Sequence, residues 1–328
     1  MTDFDAKLES IGRDADALRE ALARVIVGQD TLLEQLLIAL FANGHVLLEG
    51  LPGLGKTHLA KAVAATLGVT LGRIQCTPDL LPADITGGEI LSGDSGNIEF
   101  RPGPVFANLI LVDEINRATP RTQAALLEAM QERQVTYAGT AYALPSPFWV
   151  IATQNPIELE GTFPLPEAQL DRFLFKINVE YPSADSLETM LMTSLDSEPA
   201  NTIESLLTAE RALEIVAAAQ EVLVAEPVRQ AAIAMVLGTQ PDSESATKAA
   251  REHVRYGASP RALQALVRAA RVRALFAGRA QVDFDDLQAI AVPVLSHRIL
   301  LKTVSELDGM TTPVVIDSIL AEWQSGQV

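Results

Sequence analysis

The sequence predicts an α/β fold, with a parallel sheet and its helices through residue 182 and an all-helical part over 183–328. Three observations carry this. Short apolar runs recur in the first part, at His45-Val46-Leu47-Leu48, Asn108-Leu109-Ile110-Leu111-Val112 and Trp149-Val150-Ile151-Ala152, with helical stretches between them. A glycine-rich turn, Gly50 to Gly55, follows the first run and opens a helical stretch. Beyond Tyr181-Pro182-Ser183 the apolar spacing is helical in 185–195, 208–224, 227–238, 260–277, 284–299 and 312–323, and no run there reads as a strand.

Taken in order, residues 4–24 place Leu8, Ile11, Ala15, Leu18 and Leu22 at steps of three and four, an amphipathic helix. Val25 to Gln29 reads as a turn, and Asp30 as the cap of a second helix over 31–43. After the first strand and the glycine turn, His58 to Leu67 is helical and Gly68 ends it. Gly68 to Cys76 supplies another strand, and Thr77 to Pro82 is a loop because its prolines suit neither helix interior nor sheet interior. Two β-hairpins follow. One spans 84–104 around the cluster Ser92 to Asn97, and the other spans 135–144 with Gly139 at its turn. Phe173 to Val179 is the last strand of the sheet. Asp242 to Ser245 is a polar linker within the helical part.

The turn carries the chemistry. Gly50, Gly55, Lys56 and Thr57 stand at the spacing of a phosphate-cradling P-loop, a pattern that chance would place in about one chain in a hundred of this length. Glycines let backbone N–H groups face phosphate oxygens, and the next helix directs its positive end at them. Lys56 would reach the β- and γ-phosphates of a nucleotide, and the Thr57 hydroxyl would take one position on Mg²⁺. The strand 108–112 delivers Asp113 and Glu114 at its C-terminal end, where parallel sheets bind ligands. Asp113 is placed to hold Mg²⁺ and Glu114 to deprotonate an attacking water. Asn155, at the end of the next apolar strand, could sense the γ-phosphate or merely begin a turn with Pro156. Arg172 could stabilise charge in phosphoryl transfer or pair with Asp171 or Glu167. Arg261 follows Ser259 as N-cap and Pro260 at the first helical position, where it could report nucleotide state between domains.

Composition bounds the partners. At 328 residues, 48% hydrophobic and 20% charged, the chain has room for two folded domains. A net charge of −17 argues against bulk attraction to DNA, RNA or anionic membranes. Cys76 is the single cysteine, which excludes an internal disulfide and a cysteine zinc site; its apolar neighbours favour burial. His45, His58, His253 and His297 show no metal spacing. Arg261, Arg268, Arg271, Arg273 and Arg279 read chiefly as a solvated or interface face. No run of 18 apolar residues occurs and Met1 to Asp5 lacks a signal pattern, so a soluble cytoplasmic protein is expected.

Several stretches resemble the MoxR branch of the AAA+ ATPases: Val27-Gly28-Gln29, Glu49 to Thr57, Thr77 to Gly87, Leu111 to Ala118, and Gly161 to Phe173. The resemblance covers nearly the whole chain. It implies an AAA+ core over 1–182 with two hairpin inserts facing a central pore, and an all-α lid over 183–328, assembled as a ring, expected as a hexamer. It implies that Gly50, Pro52, Gly53, Leu54, Gly55, Lys56, Thr57 and His58, with Val27, Gly28 and Asp113, bind ATP, and that Thr57 and Asp113 hold Mg²⁺. Glu114 would be the catalytic base, Asn155 sensor 1, Arg172 the finger acting on a neighbour's ATP, and Arg261 sensor 2. Arg117 and Arg121 resemble further interface arginines. The implied activity is ATP hydrolysis by a chaperone that remodels a client protein or promotes metal or cofactor insertion, with a von Willebrand factor A domain partner. The rival is a nucleic-acid motor, against which stand the charge and hairpins whose chief basic residue is Arg101. A nucleotide-gated scaffold with little turnover is the third reading, disfavoured by Glu114, Asn155 and Arg172.

Overall fold

A computed structural model describes residues 3–91, 98–157, 161–196 and 204–324. They gather into two compact units. One comprises Asp16–Arg172 and Ile177–Glu214, the other Met1–Ala15, Phe173–Lys176 and Ile215–Val328.

Helices α1 (Asp3–Val25) and α2 (Asp30–Phe41) lead into β1 (Val46–Glu49), α3 (Lys56–Thr66) and β2 (Leu71–Gln75). The short α4 (Pro82–Thr86) precedes the hairpin β3 (Gly87–Leu91) and β4 (Ile98–Pro102), and then comes β5 (Leu109–Asp113). After α5 (Pro120–Glu132), the hairpin β6 (Gln134–Tyr137) and β7 (Thr140–Ala143) leads to β8 (Trp149–Gln154), α6 (Glu167–Leu170), β9 (Phe175–Asn178) and α7 (Ala184–Asp196). The sheet runs in the order β2-β5-β8-β1-β9, and β1–β8, β5–β8 and β2–β5 pair in parallel. Leu109 to Val112 and Trp149 to Ala152 are wholly buried, as a sheet covered on both faces requires. The register Glu49↔Gln154 and Gln75↔Asp113 brings the C-terminal ends of these strands level.

Several predicted details find their physical basis here. Gly68 ends α3 at φ +63°, with Val69 N donating to Ala64 O at 3.0 Å; a Cβ there would stand 2.4 Å from Leu207 O. Both hairpins form, although the Ser92 to Asn97 turn lies outside the described residues. They are joined by aromatic packing, Phe100 of β4 stacking on Tyr142 of β7 at 4.1 Å. Asp30 is not the cap of α2. It is the first helical residue and its charge favours the positive end, while Gln29 holds the cap position without a side-chain bond.

The expected boundary at residue 182 falls inside the sheet unit. Leu206 N and Leu207 N both donate to Thr66 O at the end of α3, which keeps the chain with the sheet through Glu214. The helical unit contains the later part of α8 (Ala209–Glu221), then α9 (Glu226–Gly238), α10 (Lys248–His253), α11 (Pro260–Phe276), α12 (Phe284–Leu295), α13 (Thr303–Leu307) and α14 (Thr312–Gln324). It is not strand-free as expected. Here β10 (Val254–Tyr256) pairs antiparallel with β11 (Leu300–Leu301), a ladder too short to leave an alternating pattern.

Arg273 and Arg279 are also not a solvated face. Both donate to Asp286, which is fully buried, and Arg279 does so through two nitrogens at 2.8 and 2.6 Å. Asp283 N donates to the same carboxylate, in a capping box that starts α12. Burial alone would raise the Asp286 carboxyl, but these donors outweigh it and hold it below the usual carboxylate range. A depressed folded-state value contributes stability that is present above the unfolded value and lost as pH falls through the folded one. Asp286→Ala is expected to cost about 2 kcal/mol, short of the full penalty of an orphaned buried charge because both arginines are part exposed. Urea denaturation at pH 7 and below pH ~3 checks this, since the gap between variant and wild type should narrow in acid; a constant gap would refute the ionic account.

Candidate nucleotide site

The site is built from the C-terminal ends of β1, β5 and β8. Gly53 and Gly55 adopt φ +82° and +75°, left-handed values that side chains resist, and nothing stands within 4 Å of where their Cβ atoms would be. Gly50 serves packing: a Cβ there would lie 2.9 Å from Val179. Gly55 holds the cap position of α3 without a side-chain bond, so the first amides of that helix are available to an anion. Lys56 Nζ donates to Gly50 O at 2.5 Å, folding the ammonium back over the loop. Desolvation lowers its pKa, and the charges of Asp113, Glu114 and Glu49 oppose that shift. The next residue, Thr57, is half-buried in the same turn.

Asp113 is buried, and its Oδ2 accepts from Arg73 Nε at 2.9 Å. Arg73 also donates to Gln75 at 3.0 Å. Glu114 leaves the strand at φ +58°, an uncommon conformation for a non-glycine residue. Its amide donates to Thr153 Oγ1 at 2.9 Å and its carboxylate pairs with Arg117 at 3.3 Å. Asn155 is buried and its Oδ1 accepts from Ile157 N, so it does begin a turn. That bond occupies only the amide oxygen. Cys76 lies beneath the site; burial and the nearby carboxylates of Asp113 and Glu114 push its thiol up to about 12, which agrees with an unreactive buried residue.

Beside the loop, within the sheet unit, lies a cavity of about 420 Å³. Val27, Gly53, Leu54, Gly55 and His58 line it, all expected contacts. Tyr181, Pro182, Leu187 and Met190 also line it and were not anticipated, being more than a hundred residues from the loop. Gly28 is nearby at φ +73°, where a Cβ would overlap Ser186 Oγ. The cavity's size and apolar lining suit a purine base.

Arg172 is elsewhere in the sheet unit. Its Nη1 donates to Leu127 O of α5 at 2.8 Å, and among the described residues its buried Nε has no partner. Arg261 belongs to the helical unit, in the first turn of α11, with Ser259 accepting from its amide as expected. Arg73 escaped sequence reasoning; a lone arginine in a strand facing the end of its neighbour was the available signal.

Residues 45–175 match the family model described as the ATPase family associated with various cellular activities (AAA), and residues 246–319 match that of the AAA lid domain. Chaperone MoxR1 of Mycobacterium tuberculosis is 41% identical over 315 residues, 95% of this chain and 83% of that one. The chain belongs to the MoxR family of AAA+ ATPases. Protein MoxR of Methylorubrum extorquens is 37% identical over 90% of both chains, and YeaC of Bacillus subtilis is 41% identical over 92% of both. A crystal structure of a candidate ATPase from Cytophaga hutchinsonii superposes with a TM-score of 0.89 at 39% identity, covering 96% of each chain. No helix among the described residues is long and apolar enough to cross a membrane.

Proposed function

We propose that this MoxR-family chain hydrolyses ATP with Mg²⁺ as a ring, expected to be a hexamer, and spends the cycle on remodelling a client protein or on metal or cofactor insertion. A protein with a von Willebrand factor A domain is the proposed partner. The observation that carries the reading is the Lys56 ammonium beside an uncapped helix start, within the field of Asp113 and Glu114. The residues fit the implied ligands. Open left-handed glycines leave room for phosphate oxygens, and the apolar cavity leaves room for the base.

When bound, magnesium–ATP supplies the phosphoanhydride to be cut and the metal charge that polarises it. Gly53, Gly55 and the first amides of α3 would then receive the phosphates, and Lys56 would exchange the Gly50 carbonyl for a phosphate oxygen. Thr57 and Asp113 would hold the metal. Glu114, whose backbone is left-handed, would take the proton of the attacking water, which requires it to leave Arg117. Asn155 keeps its Nδ2 group for that water or the γ-phosphate. Arg172 of an adjoining copy would stabilise the developing charge, and Arg261 would sense the phosphate.

Lys56→Ala tests the reading most directly. The variant should bind ATP at least ~10-fold more weakly by calorimetry, because an ammonium on phosphate is a charge-assisted contact in a partly desolvated site. Unchanged affinity in a folded variant would overturn the phosphate-loop assignment.

A further inference from the structure

The segment that follows Arg172 is gripped from the helical unit to which it belongs. Arg298 donates through Nη2 to Phe173 O at 2.6 Å and through Nη1 to Leu174 O at 3.0 Å, and it also bonds Val294 O. His297 Nε2 lies 3.0 Å from Phe173 O, so that carbonyl takes two donors. Burial, with Arg298 beside it, pushes the His297 pKa well below the ordinary histidine value; the ring is neutral at pH 7 and its single proton lies on Nε2 for this bond. The Phe173 and Leu174 side chains are themselves buried.

A guanidinium fork across two successive carbonyls fixes two successive peptide planes, because each carbonyl oxygen lies in the plane of its peptide. Those planes join Phe173 to Leu174 and Leu174 to Phe175, so the held backbone begins at the Phe173 Cα, one peptide bond from Arg172. The Arg172 side chain is held loosely by comparison: among the described residues Nη1 donates to Leu127 O and the buried Nε has no partner. An under-satisfied guanidinium gains free energy by moving to a better acceptor, so its direction is set by the backbone that carries it. We propose that Arg298 is a positioning residue for Arg172, gripping the two residues after it and so fixing the backbone from which the Arg172 guanidinium reaches. This rests on the reading of Arg172 as the arginine that acts in hydrolysis.

The test uses the full chain in its assembled form and measures kcat, KM and thermal midpoint. Arg298→Gln should lower kcat at least ~10-fold with KM within ~3-fold, since the loss is in transition-state contact and not in nucleotide binding. In the Arg172→Ala background, followed by single-turnover hydrolysis, the same change should cost less than ~2-fold, because the group it positions is gone. Arg298→Lys should recover part of kcat, an ammonium reaching one carbonyl where the guanidinium forks two. Where Arg298→Gln fails to fold, Arg298→Lys takes its place, with a loss of ~3-fold or more that disappears in the Arg172→Ala background. Wild-type kcat in Arg298→Gln, or an equal loss with and without Arg172, overturns the proposal. The two readings fail separately. Arg172→Ala with full turnover removes the hydrolytic role of Arg172 and this proposal with it, whereas an inactive Arg172→Ala beside an unaffected Arg298→Gln removes this proposal alone.

Discussion

Arg172→Ala is expected to lower turnover by ~10³–10⁵-fold while leaving ATP affinity and folding nearly untouched. The first half follows from the proposed role: an arginine that meets the γ-phosphate only as charge develops contributes to the barrier and little to ground-state binding. The second half follows from the structure. Among the described residues Arg172 donates to Leu127 O and buries an Nε without a partner, so truncation removes a desolvation penalty along with the bond. A thermal midpoint within ~3 °C of wild type is therefore expected. An arginine with a purely structural role would show the reverse, a lowered midpoint with turnover intact per folded molecule.

The trans assignment has its own readout. Mixing Arg172→Ala with Glu114→Gln chains places, at some interfaces, an intact base opposite an intact arginine. If each site draws its arginine from a neighbour, random assembly at equal amounts restores up to about a quarter of wild-type sites. No recovery in demonstrably mixed assemblies would show that Arg172 serves its own chain's nucleotide.

What could be read from the sequence was chemistry that one or a few adjacent residues decide. The loop from Gly50 to Thr57, the strand delivering Asp113, Gly68 as a helix stop and Ser259-Pro260 as a helix start all rest on local backbone demands. Contacts that depend on register or on chain reversal were not readable. The Arg73 pair with Asp113 needs β2 to lie beside β5 with Gln75 opposite Asp113. The Asp286 cluster needs α11 and α12 to fold back on one another, and without that knowledge Arg273 and Arg279 look like surface charge. Tyr181 and Met190 join the loop's cavity only through tertiary packing, and β10–β11 is too short to be periodic. Asp30 shows the converse limit: a good capping residue type was present, but the backbone began its helix one residue earlier.

Glu114→Gln should abolish steady-state hydrolysis, by ~10²–10⁴-fold, yet bind ATP within about threefold of wild type. The substitution keeps the volume and the backbone conformation, so the cost of holding residue 114 at φ +58° is the same in both proteins. The Glu114 amide keeps its bond to Thr153 Oγ1, which is a backbone contact and independent of the side chain. What disappears is the carboxylate, and with it two things: a group able to accept a proton from water, and the partner of Arg117. Losing the ion pair at a part-exposed position costs about 1 kcal/mol or less, too little to explain a thousandfold kinetic effect through misfolding. Arg117→Ala separates the two losses. It removes the same ion pair and keeps the base, so it should retain far more turnover than Glu114→Gln when both are compared at saturating ATP. Equal loss in the two variants would move the essential role from proton transfer to the Glu114–Arg117 pair itself.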